Sequence, residues 1–425
     1  MPVKEVILDL RLILLKNSKW LLLLVIFSFF IFLRFYDLEN RTPFSFDQVT
    51  NAWAMKDFIL DHKLLLVGPV AKGNSGFYVG PFYYYYLSIF YFITKLDPIA
   101  AGWAAGVASI FTFVTLFYVA NKVFSFRTAL IAVLIHTVSY YAIGFDRIQW
   151  PVNFIFPLSL IIFYSLYKVI TGKEKYLLLL AVALGFSFSM HFTAVFFPIM
   201  ILFSLPFFPK TIQTLKYSIV AVLLFVIFLI PNIIYELNSK ASSSKHLSGY
   251  INTYYHGFHF VRFIQMVTDA FIEAEATIFF KILKPVKYLI YPLFVIIFYL
   301  KKPTKNTFTI CYLFGLWFLI PWIVFTVYKG EITNYYFSLT RPIVILILAY
   351  LFSRMFEIKN VAAKIIVIIF IVYYSFFNVS GYMNEKMQGL SGRRNNAIKA
   401  IESKNKIPFQ EGVPESYIYY IYTIK

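Results

Sequence analysis

The sequence predicts an all-α, polytopic helical membrane protein of about eleven spans, and three observations predict it. The 425 residues are 60% hydrophobic and 21% aromatic, with a mean hydropathy of +0.72, well outside the range of a soluble domain. Apolar runs of spanning length recur from Trp20–Phe35 through to Lys364–Ser380; because backbone groups in lipid must be paired within their own segment, these runs read as helices. The net charge of +19 comes mainly from basic residues in short segments between the runs, which is the pattern of membrane orientation and not of nucleic-acid binding. Membrane lipids are therefore expected partners and nucleic acid is not.

The elements follow in order. The first run, behind Lys4, Arg11, Lys16 and Lys19, has no small-residue cleavage site after it and reads as a retained anchor with a cytoplasmic N-terminus. Basic clusters at Lys122–Arg127, Lys173–Lys175, Lys210–Lys216, Lys301–Lys305 and Arg354–Lys364 mark cytoplasmic turns. That rule is satisfied throughout only if Phe77–Thr94, with Tyr83 to Tyr86, lies in the interface and Ile99–Ala120 is the second span. Gly144–Trp150 then emerges on the same outer side as Asp47. Val152–Thr171 returns inward. Tyr176–Phe208, about 33 residues and roughly 50 Å as one helix, reads as a hairpin of two spans turning near His191. Tyr217–Tyr235 leads out to a second long external loop, from Glu236 to about Pro285, which carries Ser242–Ser244 as a mobile stretch and Asp269, Glu273 and Glu275 in a solvated interfacial helix. Tyr288–Leu300, Phe308–Tyr328, Tyr336–Phe352 and Ile365–Ser380 complete the bundle, and Gly381–Lys425 is an external tail. The single cysteine, Cys311, lies in an apolar run, which excludes an intramolecular disulfide and a cysteine metal cluster.

The outer face thus collects Asp47, Asp146, Arg147, His191, Glu236, Glu331 and Arg341 at span ends. Ionisable groups at a membrane edge cost about 2.5–3.5 kcal/mol each when submerged, so they pair or line a wet cavity. Six local patterns are in view: Phe46-Asp47-Gln48 followed by a helix over 51–62; Gly80-Pro81-Phe82 and the tyrosines to Leu87; Arg147-Ile148-Gln149-Trp150-Pro151-Val152-Asn153; Leu184–His191; Pro231-Asn232-Ile233-Ile234-Tyr235-Glu236; and Gly330–Phe337, which contains Glu331, Tyr335 and Tyr336. In order and spacing they resemble the GT-C superfamily of membrane glycosyltransferases, in particular glycosyltransferase family 39, with its protein mannosyltransferases and aminoarabinose transferases.

The resemblance implies a GT-C-like bundle at 1–380, with the catalytic module at about 20–236 and variable later spans at 237–380. It also implies transfer of a sugar from a polyprenyl-phosphate donor to an acceptor on the extracytoplasmic face of the plasma membrane. A phosphate-linked sugar already carries a good leaving group, so a single inverting displacement needs one carboxylate to take the acceptor proton and positive charge to meet the departing phosphate. Asp47 is the candidate base and Arg147 the candidate phosphate partner, with Asp146, His191 and Gln48 as further polar site residues and Glu236, Glu331, Tyr335 and Tyr336 as second-loop candidates. Relatives commonly carry Asp-Glu where this chain has Asp47-Gln48, which leaves open whether a divalent cation is held, with Asp47 and Asp146 as its candidate ligands. The nature of the acceptor is likewise open.

Ordinary roles compete with these. Asp47 could serve as a loop acid or helix cap, Arg147 could pair with its neighbour Asp146 or anchor a span, His191 could be a hydrogen-bonded structural histidine, and Glu236 could cap its helix. A lipid-linked glycan flippase or transporter would instead place polar groups and broken helices near mid-membrane, usually in paired repeats. An envelope-glycan ligase or polymerase would gather arginines in a later large loop and lack the early Asp47 motif.

Overall fold

The computed structural model describes residues 3–72, 75–255, 257–266, 292–296, 298 and 304–424, with side chains from residue 18 onward. Among these residues there is no extended strand, only two isolated bridges, Val70 with Tyr78 and Tyr255 with Tyr328.

The first helix, α1 (Val3–Phe35), contains the candidate span Ser18–Phe35. Three short elements follow it at one end of the bundle: α2 (Leu38–Arg41), α3 (Phe46–Ile59) and α4 (Phe82–Ile93). At 12 residues, α4 is about 18 Å long, too short for a hydrocarbon core of about 30 Å. The next helix of crossing length after α1 is α5 (Ala100–Val123). After it come α6 (Phe126–Val138) and α7 (Tyr140–Phe145), separated at Ser139, then a 3-10 turn at Pro151–Phe154 that runs into α8 (Ile155–Ile170). The predicted hairpin is present as α9 (Tyr176–Phe188) and α10 (Phe196–Ser204), with His191 between them.

The long helix α11 (Ile212–Asn238) is apolar, lies against α9, and has no buried residue among the described residues. Ser242–Ser244, expected as a mobile stretch, instead opens α12 (Ser242–Tyr254), because Glu236 Oε2 accepts hydrogen bonds from the Ser244 backbone N–H (3.2 Å) and Oγ (2.8 Å). Glu236 is thus the tie between two helices. The span expected at Tyr288–Leu300 falls largely outside the described residues, and Asp269, Glu273 and Glu275 lie wholly outside them. Next come α13 (Lys305–Thr326), a 3-10 turn at Asn334–Leu339, α14 (Arg341–Met355) and α15 (Val361–Met383). α14 is buried nearly all round, as the central rod of a bundle should be.

Six of the described helical segments have the length and apolarity to cross a membrane. Shorter apolar helical segments at Phe126–Val138, Tyr176–Phe188 and Phe192–Phe207, with α14, pack among them. The tail forms α16 (Leu390–Glu402) and α17 (Pro414–Ile424), which pack on each other and on α2 and α3. Arg394 pairs with Asp97 (2.9 Å) and Glu39 (2.8 Å), and Tyr417 donates its hydroxyl to Leu96 O (2.9 Å).

Candidate active site

The site begins at the entry to α3. Ser45, in extended conformation, precedes the helix, and Gln48 Oε1 accepts hydrogen bonds from its N–H (3.1 Å) and Oγ (2.8 Å), a reciprocal cap that fixes the first turn. Asp47 sits exposed in that turn, where the helix N-terminus favours negative charge. Its Oδ2 accepts a hydrogen bond from Trp150 Nε1 at 2.8 Å.

The loop bearing Trp150 is itself held. Asn153 Nδ2 donates to the carbonyls of Phe145 (3.2 Å) and Ile148 (2.7 Å), while Gln149 Nε2 donates to Tyr83 Oη (3.0 Å). The buried Gln48 then donates from Nε2 to Gln149 O (3.2 Å), latching the Asp47 turn to the Trp150 loop. A glutamate at 48 could not donate that bond, so the amide has a structural task here.

From Trp150 an aromatic wall leads away from Asp47. Tyr335 lies 5.2 Å from Trp150, 5.7 Å from His191 and 4.8 Å from Tyr336, ring centre to ring centre. Lys72 stands at the far end. Its Nζ donates to Tyr328 Oη and to Glu331 O (3.2 Å), and lies 5.0, 5.6 and 5.9 Å from the ring centres of Tyr328, Tyr336 and Tyr254. The result is an ammonium in an aromatic nest, partly open to solvent, with only neutral partners among these contacts. Trp150 and Tyr335 also line a cleft of about 620 Å³.

The remaining expected residues are distributed as follows. Arg147 is buried, with Nη1 donating to Leu33 O (3.0 Å) and Nη2 to Tyr36 O (2.7 Å) and Asp37 O (3.4 Å). It caps the end of α1 and does not offer its guanidinium to a phosphate. Asp146 is buried between Arg34 (Nη2 to Oδ2, 2.9 Å) and His136 (Nε2 to Oδ2, 3.2 Å). Burial alone would raise its pKa, but His136 and Arg34 more than offset this and leave the carboxyl below its usual range. With Asp146 so engaged, the Asp47–Asp146 pair does not fit as a divalent-cation site, and among the described residues no group of three or more His, Cys, Asp and Glu side chains is gathered. Glu236 belongs to the α11–α12 junction. Glu331 contributes its carbonyl to Lys72, and its side chain is exposed.

His191 lies in the turn between α9 and α10, with Nδ1 3.0 Å from Thr193 Oγ1, and burial lowers its pKa to about 3, so the ring is neutral at pH 7. It stiffens the wall beneath Tyr335 and Tyr336. Sequence reading missed Lys72 and Arg34, and it quoted Trp150 without a role. Nothing in the sequence set Lys72 apart, since its loop also carries Arg41, Lys56, Lys63 and Lys95.

Residues 78–235 match the family of dolichyl-phosphate-mannose-protein mannosyltransferases. No curated protein matches the chain in sequence. Among solved structures, ArnT from Cupriavidus metallidurans bound to undecaprenyl phosphate superposes with a TM-score of 0.60 at 8% identity, over 95% of this chain and 76% of that one. The fold is GT-C. The archaeal oligosaccharyltransferase AglB from Archaeoglobus fulgidus, in complex with an inhibitory peptide and a dolichol-phosphate, superposes with a TM-score of 0.57 at 11% identity, over 94% of this chain and 61% of that chain. The matched segment runs from Tyr78, just before α4, to Tyr235, near the end of α11, so it includes Trp150 and His191. Asp47 and Lys72 precede it, and the Tyr335–Tyr336 wall follows it.

Proposed function

We propose that the protein is a glycosyltransferase that moves a sugar from a polyprenyl-phosphate donor to an acceptor hydroxyl, by a single inverting displacement, on the extracytoplasmic face of the plasma membrane. The observation that carries the reading is the Asp47 carboxylate held by Trp150 Nε1 at one end of a GT-C bundle. With Oδ2 engaged by the indole, Oδ1 accepts the proton of the acceptor hydroxyl as that oxygen attacks the anomeric carbon. A new C–O bond forms as the anomeric bond to the phosphate oxygen breaks, and polyprenyl phosphate leaves. The proton passes from Asp47 to water.

Lys72 takes the phosphate role in this scheme in place of Arg147. Its ammonium and the Tyr328 hydroxyl beside it are pre-positioned for developing negative charge, and a site partly walled off by tyrosines strengthens the interaction. The positive-inside pattern supports the orientation: basic clusters such as Lys122–Arg127 and Arg354–Lys364 lie at the opposite ends of helices whose other ends carry the site.

The donor class is tested in membranes containing the full chain. Radiolabelled sugar should pass to endogenous acceptors from members of a panel of polyprenyl-phosphate sugars and not from nucleotide sugars. Transfer from nucleotide sugars alone would overturn the proposal. So would vectorial movement of the lipid-linked sugar across the bilayer with no transfer.

A further inference from the structure

We propose that the 620 Å³ cleft beside Trp150 is the acceptor site and that its occupant is a glycan presenting pyranose rings, rather than an acyl chain. This rests on the function proposed above and names the acceptor class. The cleft shares Trp150 with Asp47 and Tyr335 with the aromatic wall, in which Tyr335 lines the cleft and its neighbour Tyr336 lies 5.6 Å from Lys72 Nζ.

The lining selects the chemistry. Tyr140, Tyr141, Trp150, Tyr335 and Tyr382 supply aromatic rings, while Arg41 and Glu385 supply charge. A pyranose has an apolar C–H face that stacks on such rings and a belt of hydroxyls that meets charged groups at the edge. Glu385 is exposed and already oriented, since Tyr140 Oη donates to its Oε2 at 2.6 Å. Arg41 is anchored by hydrogen bonds to Tyr382 O (3.1 Å) and Met383 O (2.7 Å). An acyl chain would not select a pocket carrying a carboxylate and a guanidinium. The volume lies in the range of small-molecule sites and has room for more than one sugar ring.

Gly144 lines the cleft, and a Cβ there would meet only Tyr382 Cε2, at 3.9 Å. A larger side chain at 144 therefore projects into the cleft without displacing backbone.

The test is saturation-transfer difference NMR on the purified full chain, with methyl pyranosides, pyranose disaccharides and a serine/threonine hexapeptide as probes. Wild type should transfer saturation to sugar ring protons and not to the peptide. Gly144→Leu should abolish the signal. Glu385→Gln, at an exposed position, should weaken binding about tenfold by losing a charged hydrogen-bond acceptor. Absence of sugar binding to wild type, sugar binding that is equal in all three proteins, or peptide binding that Gly144→Leu removes would each overturn the proposal. Because this readout is binding, sugar contact without any transfer would refute the transferase reading while leaving a glycan site, and transfer to non-glycan acceptors would do the reverse.

Discussion

Asp47 is held by an indole N–H, and that single contact gives the residue scale its sharpest prediction. Trp150→Phe keeps the aromatic contact with Tyr335 but removes the hydrogen bond to Oδ2. Hydrogen bonds to charged groups contribute about 1.5–3 kcal/mol, so kcat should fall roughly tenfold or more with the donor KM nearly unchanged, measured by initial rates at varied donor. Lys72→Met should cost about 10²–10³ in kcat/KM if the ammonium meets the leaving phosphate, as single-turnover kinetics would show. His191 offers a pH test. Its folded pKa of about 3 lies below the free value of 6.5, so the folded state disfavours the proton; the contribution of the neutral ring is complete above 6.5 and is lost as pH falls from there toward 3. Thermal stability should therefore decline less between pH 7 and 4 in His191→Gln than in wild type. Asp47 was singled out in the sequence by its place in Phe46-Asp47-Gln48 and not by charge alone, since Asp37, Glu39, Asp57, Asp61 and Asp97 share its loop. Arg147 was misread because its partners are the carbonyls of Leu33, Tyr36 and Asp37, and no side-chain pattern announces a carbonyl acceptor.

Among the elements, α1 and the α6–α7 segment are joined by one buried knot. Arg34 donates to the carbonyls of Thr137 (2.5 Å) and His136 (3.0 Å) as well as to Asp146. Asp146→Ala would strand a buried guanidinium, and breaking such a pair costs about 3–5 kcal/mol. The folded fraction in detergent should drop accordingly, while whatever protein remains folded keeps its donor affinity. Helix positions were readable where apolar runs were long and basic turns separated them, as at α5, α8 and α11. Ser242–Ser244 was not, because its helical start depends on Glu236, six residues upstream of the first of these serines.

At the scale of the whole molecule, the tail closes over the first loop. Trp53 of α3 packs edge-on against Phe409 and Tyr417, and Gly412, at φ +78°, lets the chain pass Phe46 where a Cβ would come within 2.3 Å of its ring. The tail thus holds the turn that carries Asp47. Removal of residues 388–425 should leave an inserted protein whose kcat is lower by about 10²-fold, the scale expected when a catalytic group is misplaced by about an ångström. Nothing in the tail's mixed composition disclosed this docking, since the partners of Arg394, Asp97 and Glu39, lie 297 and 355 residues away. The bundle was legible from hydropathy, whereas the packing of its end was not. The most direct test of the central claim compares wild type with Asp47→Asn at matched expression and saturating polyprenyl-phosphate sugar. Transfer should fall about 10²–10⁴-fold, the usual contribution of a general base, with donor binding retained; equal rates in the two proteins would contradict the account.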